Sequence, residues 1–126
     1  MGIVLAAGDA TRFGSPKQLA TLDGRPLLQH PLDALAAAAI DDVVVVLGSK
    51  APAIEAAITW RGERRRINEH PGDGLASSLR IGLDAAAEDP RADAVLVVLG
   101  DQPGLRAEVV RTVVHAADVT TRAIVR

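Results

Sequence analysis

With 126 residues the chain supports one domain, 1–126, able to bury about two-thirds of its unfolded surface in a single core. Apolar residues make up 48% of it and charged residues 24%, which excludes disorder, and a formal net charge of −2 offers no field for nucleic acid or an anionic membrane. The absence of cysteine removes disulfides, zinc–thiolate sites and thiol nucleophiles, and Phe13 and Trp60, the only aromatic residues, supply no base-stacking platform. No apolar run approaches the roughly 18 residues of a membrane span, and the N-terminal run lacks the basic start of a signal peptide. The expectation is a cytoplasmic protein without nucleic-acid or membrane partners.

The chain opens with Gly2 to Lys17, GIVLAAGDATRFGSPK. Ile3-Val4-Leu5 reads as a buried strand that breaks into Ala6-Ala7-Gly8, small residues that let backbone N–H groups approach an anion closely. Arg12 and Lys17 flank a second glycine, Gly14, and would compensate the charge of a polyphosphate. Five residues separate Gly8 from Gly14 and Ser15-Pro16 follows, so the stretch is not a P-loop. It also lacks the third glycine and the clean helix start of a dinucleotide fingerprint.

Leu19 to Gly24 is expected to carry the chain across the sheet edge. Pro26 to Ala39 reads as a helix with Leu27, Leu28, Leu32, Leu35 and Ala39 near one face, and Pro31 is expected to confine regular helix to the part beyond it. Asp42 to Leu47 is a strand whose run Val43-Val44-Val45-Val46 is apolar at every position, hence covered on both faces. Lys50 to Trp60 reads as a second helix. Arg64-Arg65-Arg66-Ile67 reads as an edge strand protected by charge rather than a nucleic-acid contact. Asn68 to Gly74 is a loop. Leu75 to Glu88 reads as a helix with Leu75, Leu79, Leu83 and Ala86 or Ala87 inward.

Ala94 to Leu99 is another continuously apolar strand, ending in Gly100-Asp101-Gln102-Pro103. A helix over Ala107 to Ala117 follows, with Val109, Val110, Val113 and Val114 as its expected buried side, and Arg122 to Arg126 opens a further strand. Strands and helices alternate with connections too long for hairpins. The fold class is therefore α/β, a three-layer, mostly parallel sheet with helices on both faces.

Ligand sites in such sheets lie outside the carboxyl ends of the strands. The loop after the first strand and Asp101 after the fourth are both at such ends. Asp101, stiffened by Pro103, suits either a Mg²⁺ ligand beside phosphate oxygens or a cap of the following turn. Gly74, Ser77 and Ser78 suit contact with a base or ribose, although Ser77 is equally an N-terminal capping residue and Arg80 a solvated charge. His30, His70 and His115 lack metal-binding spacing and read as structural or surface residues.

The pattern L-A-A-G-x-x-x-R-x-G-x-x-K, spelled here from Leu5 to Lys17, resembles the signature of sugar-nucleotide and cofactor nucleotidyltransferases with a GT-A-like (nucleotide-diphospho-sugar transferase-like) fold. Together with Gly74-Leu75-Ala76-Ser77-Ser78-Leu79-Arg80-Ile81-Gly82-Leu83 and Asp101, it is most similar to the molybdenum-cofactor cytidylyltransferases of the MobA-like NTP transferase family. Guanylyltransferase relatives typically show Gly and Asp where Ala7 and Pro16 stand. Ala10 and Phe13 depart from the usual serine or glycine and methionine.

The resemblance implies a Mg²⁺-dependent enzyme that joins CMP from CTP to molybdopterin and releases pyrophosphate. In that reading Leu5, Ala6, Ala7, Gly8, Gly74, Ser77 and Ser78 line the nucleotide pocket, Arg12 and Lys17 neutralise the triphosphate and assist transfer, and Asp101 holds the metal. It further implies a molybdoenzyme or maturation-factor partner. Relatives carry additional C-terminal elements that close the sheet, shape the pterin side of the cleft and add a late acidic residue, so the chain reads as C-terminally incomplete. Guanylyl or sugar-nucleotide transfer, and a non-catalytic nucleotide-binding or scaffold role, are the alternatives.

Overall fold

The computed structural model describes residues 1–8, 11–12, 15–90, 94–101, 104–117 and 122–125. Its centre is a five-stranded sheet of Gly2–Ala6 (β1), Val43–Leu47 (β2), Arg64–Ile67 (β3), Val95–Leu99 (β4) and Arg122–Val125 (β5). The spatial order is β3-β2-β1-β4-β5, and every neighbouring pair is parallel. Val4 stands in register with Val45 on one side and Val98 on the other. β1 and β2 are buried at all five positions each, as their uninterrupted apolar runs require.

Alternation along these strands sends two sets of side chains to opposite faces. Val4, Ala6, Val45, Leu47, Leu96 and Val98 pack with helices Gln29–Ala37 (α1), Ala51–Ala57 (α2) and Ala107–Ala117 (α4). Ile3, Leu5, Val44, Val46 and Val97 pack against Leu75–Ala87 (α3). The result is three layers, helices on both faces of a parallel sheet.

Several local expectations are corrected. α1 begins at Gln29, two residues before Pro31, because the first turn of a helix has no intrahelical acceptors to lose and tolerates proline. Leu19 to Gly24 does not simply cross the edge: Thr21–Leu22 pairs antiparallel with Arg25–Pro26 around Asp23 and Gly24, whose φ values of 54° and 78° make an Asp-Gly hairpin turn. α2 stops at Ala57, and Ile58 is already extended. On α3 the inward face is Ser78, Gly82, Ala85 and Ala86, flanked by Leu79, while Leu75 and Leu83 are exposed. On α4 Val110 is fully buried and Val113 partly so, but Val109 and Val114 face solvent.

Small residues face the sheet on α3 because the helix lies close to it. A Cβ placed on Gly82 would stand 2.5 Å from Cγ2 of the fully buried Ile3. β3 is an edge strand, and its arginines are absorbed structurally. Arg64 pairs with Asp42 at 3.1 Å, Arg66 pairs with Glu88 at 2.8 Å, and the Arg65 guanidinium lies 4.5 Å from the Trp60 ring centre. No helix among the described residues is long and apolar enough to cross a membrane.

Candidate active site

The strand order reverses between β1 and β4, and a cavity of about 300 Å³ opens there at the carboxyl ends of both strands. Leu5, Ala6, Ala7 and Gly8 from the end of β1, Lys17, Gly74 and Ser78 from the α3 side, and Asp101 from the end of β4 all line it. Leu5 and Asp101 are 96 positions apart and meet only because β1 and β4 are neighbours. The Lys17 Nζ lies 3.5 Å from Asp101 Oδ2, with both side chains about half exposed.

Packing fixes the loop after β1. A Cβ on Gly48, just beyond β2, would lie 2.5 Å from the Ala7 carbonyl oxygen, so the loop rides directly on the Gly48 backbone. On the cavity side the Gln18 Nε2 donates to the carbonyl oxygens of Ala6 and Gly8, each at 2.9 Å. Gln18 and the exposed Leu75 also line the cavity, although neither is among the expected site residues: Gln18-Leu19 reads only as a spelling of the cytidylyl branch, and Leu75 is expected inward on α3. Gly48 carries the only available signal, a glycine directly after an apolar strand.

The wall formed by α3 is held from beneath by Asn68, which is buried. Its Nδ2 donates to Ser77 Oγ and Ser78 Oγ, both at 2.9 Å, and its Oδ1 accepts the His70 N–H at 2.9 Å. Its own N–H donates to the Leu47 carbonyl at 2.7 Å, tying the ends of β2 and β3 to the first turn of α3. Ser77, expected in the pocket, does not line the cavity: its hydroxyl is committed to Asn68 and, at 2.7 Å, to the Gly74 carbonyl. Nor does Ser77 cap α3, whose cap residue is Gly74.

The backbone of Arg12 belongs to a short ladder, Thr11–Arg12 against Ser15–Pro16. Its side chain lies outside the described residues, as do Ala10, Phe13, Gly14, Gln102 and Pro103. His30 is buried, with Nε2 2.8 Å from the Leu22 carbonyl and Nδ1 3.2 Å from Arg25, a structural setting. Among the described residues no group of three or more His, Asp or Glu side chains is placed to hold a metal ion, so Asp101 stands as a single carboxylate at the cavity.

A parallel sheet with helices on both faces and a cavity at its switch point defines an α/β protein whose ligand site is built from strand ends. The chain belongs to the MobA-like NTP transferase domain family, whose model matches residues 2–126. It is 37% identical over 115 residues to the bifunctional protein GlmU of Desulfitobacterium hafniense, covering 90% of this chain and 24% of that protein. It is also 37% identical over 105 residues to nicotine blue oxidoreductase of Paenarthrobacter nicotinovorans, covering 82% of this chain and 50% of that protein. Among solved structures it is similar to Rv0371c of Mycobacterium tuberculosis H37Rv, with a TM-score of 0.83 and 35% identity over 94% of this chain and 60% of the other. The manganese complex of Rv0371c gives a TM-score of 0.80 at 34% identity, with 94% and 59% covered. The chain thus spans about a quarter of the length of the GlmU relatives.

Proposed function

We propose that this chain forms the nucleotide-binding part of a nucleotidyltransferase, and that the reaction transfers CMP from CTP to a molybdopterin-type acceptor. The observation that carries the reading is the convergence of a small-residue loop, a lysine and a carboxylate on one cavity at the switch point. The acceptor phosphate attacks the α-phosphorus of the triphosphate in line, the new P–O bond forms as the bond to pyrophosphate breaks, and no side chain acts as nucleophile. Positioning and charge neutralisation then supply most of the rate. Backbone amides near Ala7 and Gly8 hold phosphate oxygens, and Lys17 and Arg12 neutralise the triphosphate.

Asp101 suits a divalent ion shared with a bound polyphosphate, because magnesium usually takes one or two protein carboxylates beside water and phosphate oxygens. When bound, Mg²⁺ would neutralise charge on the phosphates. The manganese complex of the Rv0371c relative favours a divalent ion. CTP is favoured over GTP because Ala7 and Pro16 stand where guanylyl relatives show Gly and Asp.

A redox reaction on the same scaffold is the second reading, drawn from the name of the nicotine blue oxidoreductase relative. The missing third glycine of a dinucleotide fingerprint makes transfer the preferred one. The test is pyrophosphate release from CTP or GTP with Mg²⁺ and molybdopterin. Release from CTP supports the proposal, release from GTP alone shifts it to guanylyl transfer, and failure to bind either triphosphate sinks it.

A further inference from the structure

Gln18 lies in the three-residue turn Lys17–Leu19, and adjacent residues there diverge: Lys17 is half exposed, whereas Gln18 keeps only 6% of its surface. The Gln18 amide spans Ala7 by bonding the carbonyls on either side of it. Its backbone carbonyl accepts the N–H of the fully buried Leu28 at 2.9 Å. One residue therefore ties together the loop after β1, the lysine and the core. Because a trans peptide holds its C=O and N–H in opposite directions, fixing the Ala6 carbonyl also fixes the direction in which the Ala7 N–H is offered.

The chemistry dictates which way the amide faces, since exchanging its nitrogen and oxygen would set Oε1 against two carbonyl oxygens. Oε1 is itself buried with no hydrogen-bond partner among the described residues. We propose that Gln18 is the positioning residue of the phosphate site, holding the peptides of Ala6–Gly8 and the neighbouring Lys17 in register so that one polyphosphate meets both. The inference rests on the nucleotide reading above.

Gln18→Met keeps the length of the side chain and removes both donors without adding charge. The unchanged protein and the variant are titrated, with Mg²⁺, against whichever of CTP and GTP the unchanged protein binds more tightly and against the corresponding monophosphate. Triphosphate affinity is expected to fall about tenfold or more and monophosphate affinity less than about threefold, since the lost hydrogen bonds orient groups that meet the outer phosphates. A glutamine that only supports the fold lowers both alike, and that outcome, or no loss, overturns the inference.

Should the variant not fold, the side-chain amide resonances of Gln18 in the unchanged protein decide. They are expected to shift on addition of inorganic tripolyphosphate; resonances that stay in place while tripolyphosphate binds overturn the inference. If the unchanged protein binds neither triphosphate nor tripolyphosphate, the nucleotide reading falls and the inference with it. Binding that Gln18→Met leaves intact removes the inference alone.

Discussion

Lys17 and Asp101 face each other at 3.5 Å across the cavity mouth, and with about half of each side chain exposed the pair contributes little to folding. Substitutions here therefore report on ligands rather than on stability. Lys17→Ala is expected to weaken triphosphate binding more than about tenfold, in line with roughly 1.5–3 kcal/mol for hydrogen bonds to charged groups, while the thermal midpoint stays put. Unchanged affinity in calorimetry would remove Lys17 from the site. Asp101→Asn should reduce Mg²⁺-assisted nucleotide binding and leave binding in EDTA nearly unchanged; equal loss in both conditions would make Asp101 a cap. Lys17 and Asp101 were legible in the sequence because each follows a recognisable loop or strand. Gln18 and Asn68 were not, because an uncharged amide gains meaning only from the backbone groups that the fold brings to it.

At the scale of elements, the strands could be read directly, since a run such as Val43-Val44-Val45-Val46 has only one comfortable place, inside a covered sheet. The inward face of α3 could be read only in part. Leu79 and Ala86 do face the sheet as expected, but Leu75 and Leu83 do not, and close approach to β1 selects Gly82 and Ala85. Gly82→Ala should destabilise the protein by about 1–3 kcal/mol, because its methyl must displace the β-branched Ile3. An unchanged midpoint in chemical denaturation would show that α3 lies farther from the sheet. Just beyond α1, Ala39 has φ 61°, and the N–H groups of Ala39 and Ile40 donate to the Ala36 and Leu35 carbonyls, both at 3.0 Å. Glycine ordinarily fills this left-handed position, so Ala39→Gly is expected to stabilise by about 0.5–1 kcal/mol, read as a raised melting temperature.

Across the whole molecule, Asp33 on α1 joins three separate segments. It receives hydrogen bonds from Arg25 of the hairpin, from Arg61 beyond α2 at 2.6 Å and from Gln29 at 3.0 Å. Gln29 in turn exchanges bonds with both the N–H and the carbonyl of Thr59. Burial pushes the Asp33 carboxyl up, but the bonds and charge of Arg61 and the bonds of Gln29 and Arg25 together outweigh it and leave it below the usual 3.8. With a lowered folded value, the stabilisation is complete above the ordinary carboxylate range and is lost as pH falls through the depressed folded one. Urea denaturation should therefore show Asp33→Asn less stable than the unchanged protein at neutral pH, with the difference shrinking in strong acid. A difference that does not change with pH would mean the carboxylate's charge plays no part.

We propose that a nucleoside triphosphate occupies the cavity between the ends of β1 and β4. Backbone amide resonances followed by NMR during titration with CTP and Mg²⁺ test it most directly. The expected result is a contiguous set of shifts at Ala6 to Gly8, Lys17 and Gln18, Gly74 and Leu75, and Gly100 and Asp101, with the opposite ends of the strands unmoved. Saturable binding that leaves those residues unshifted, or shifts confined to the amino ends of the strands, would contradict it.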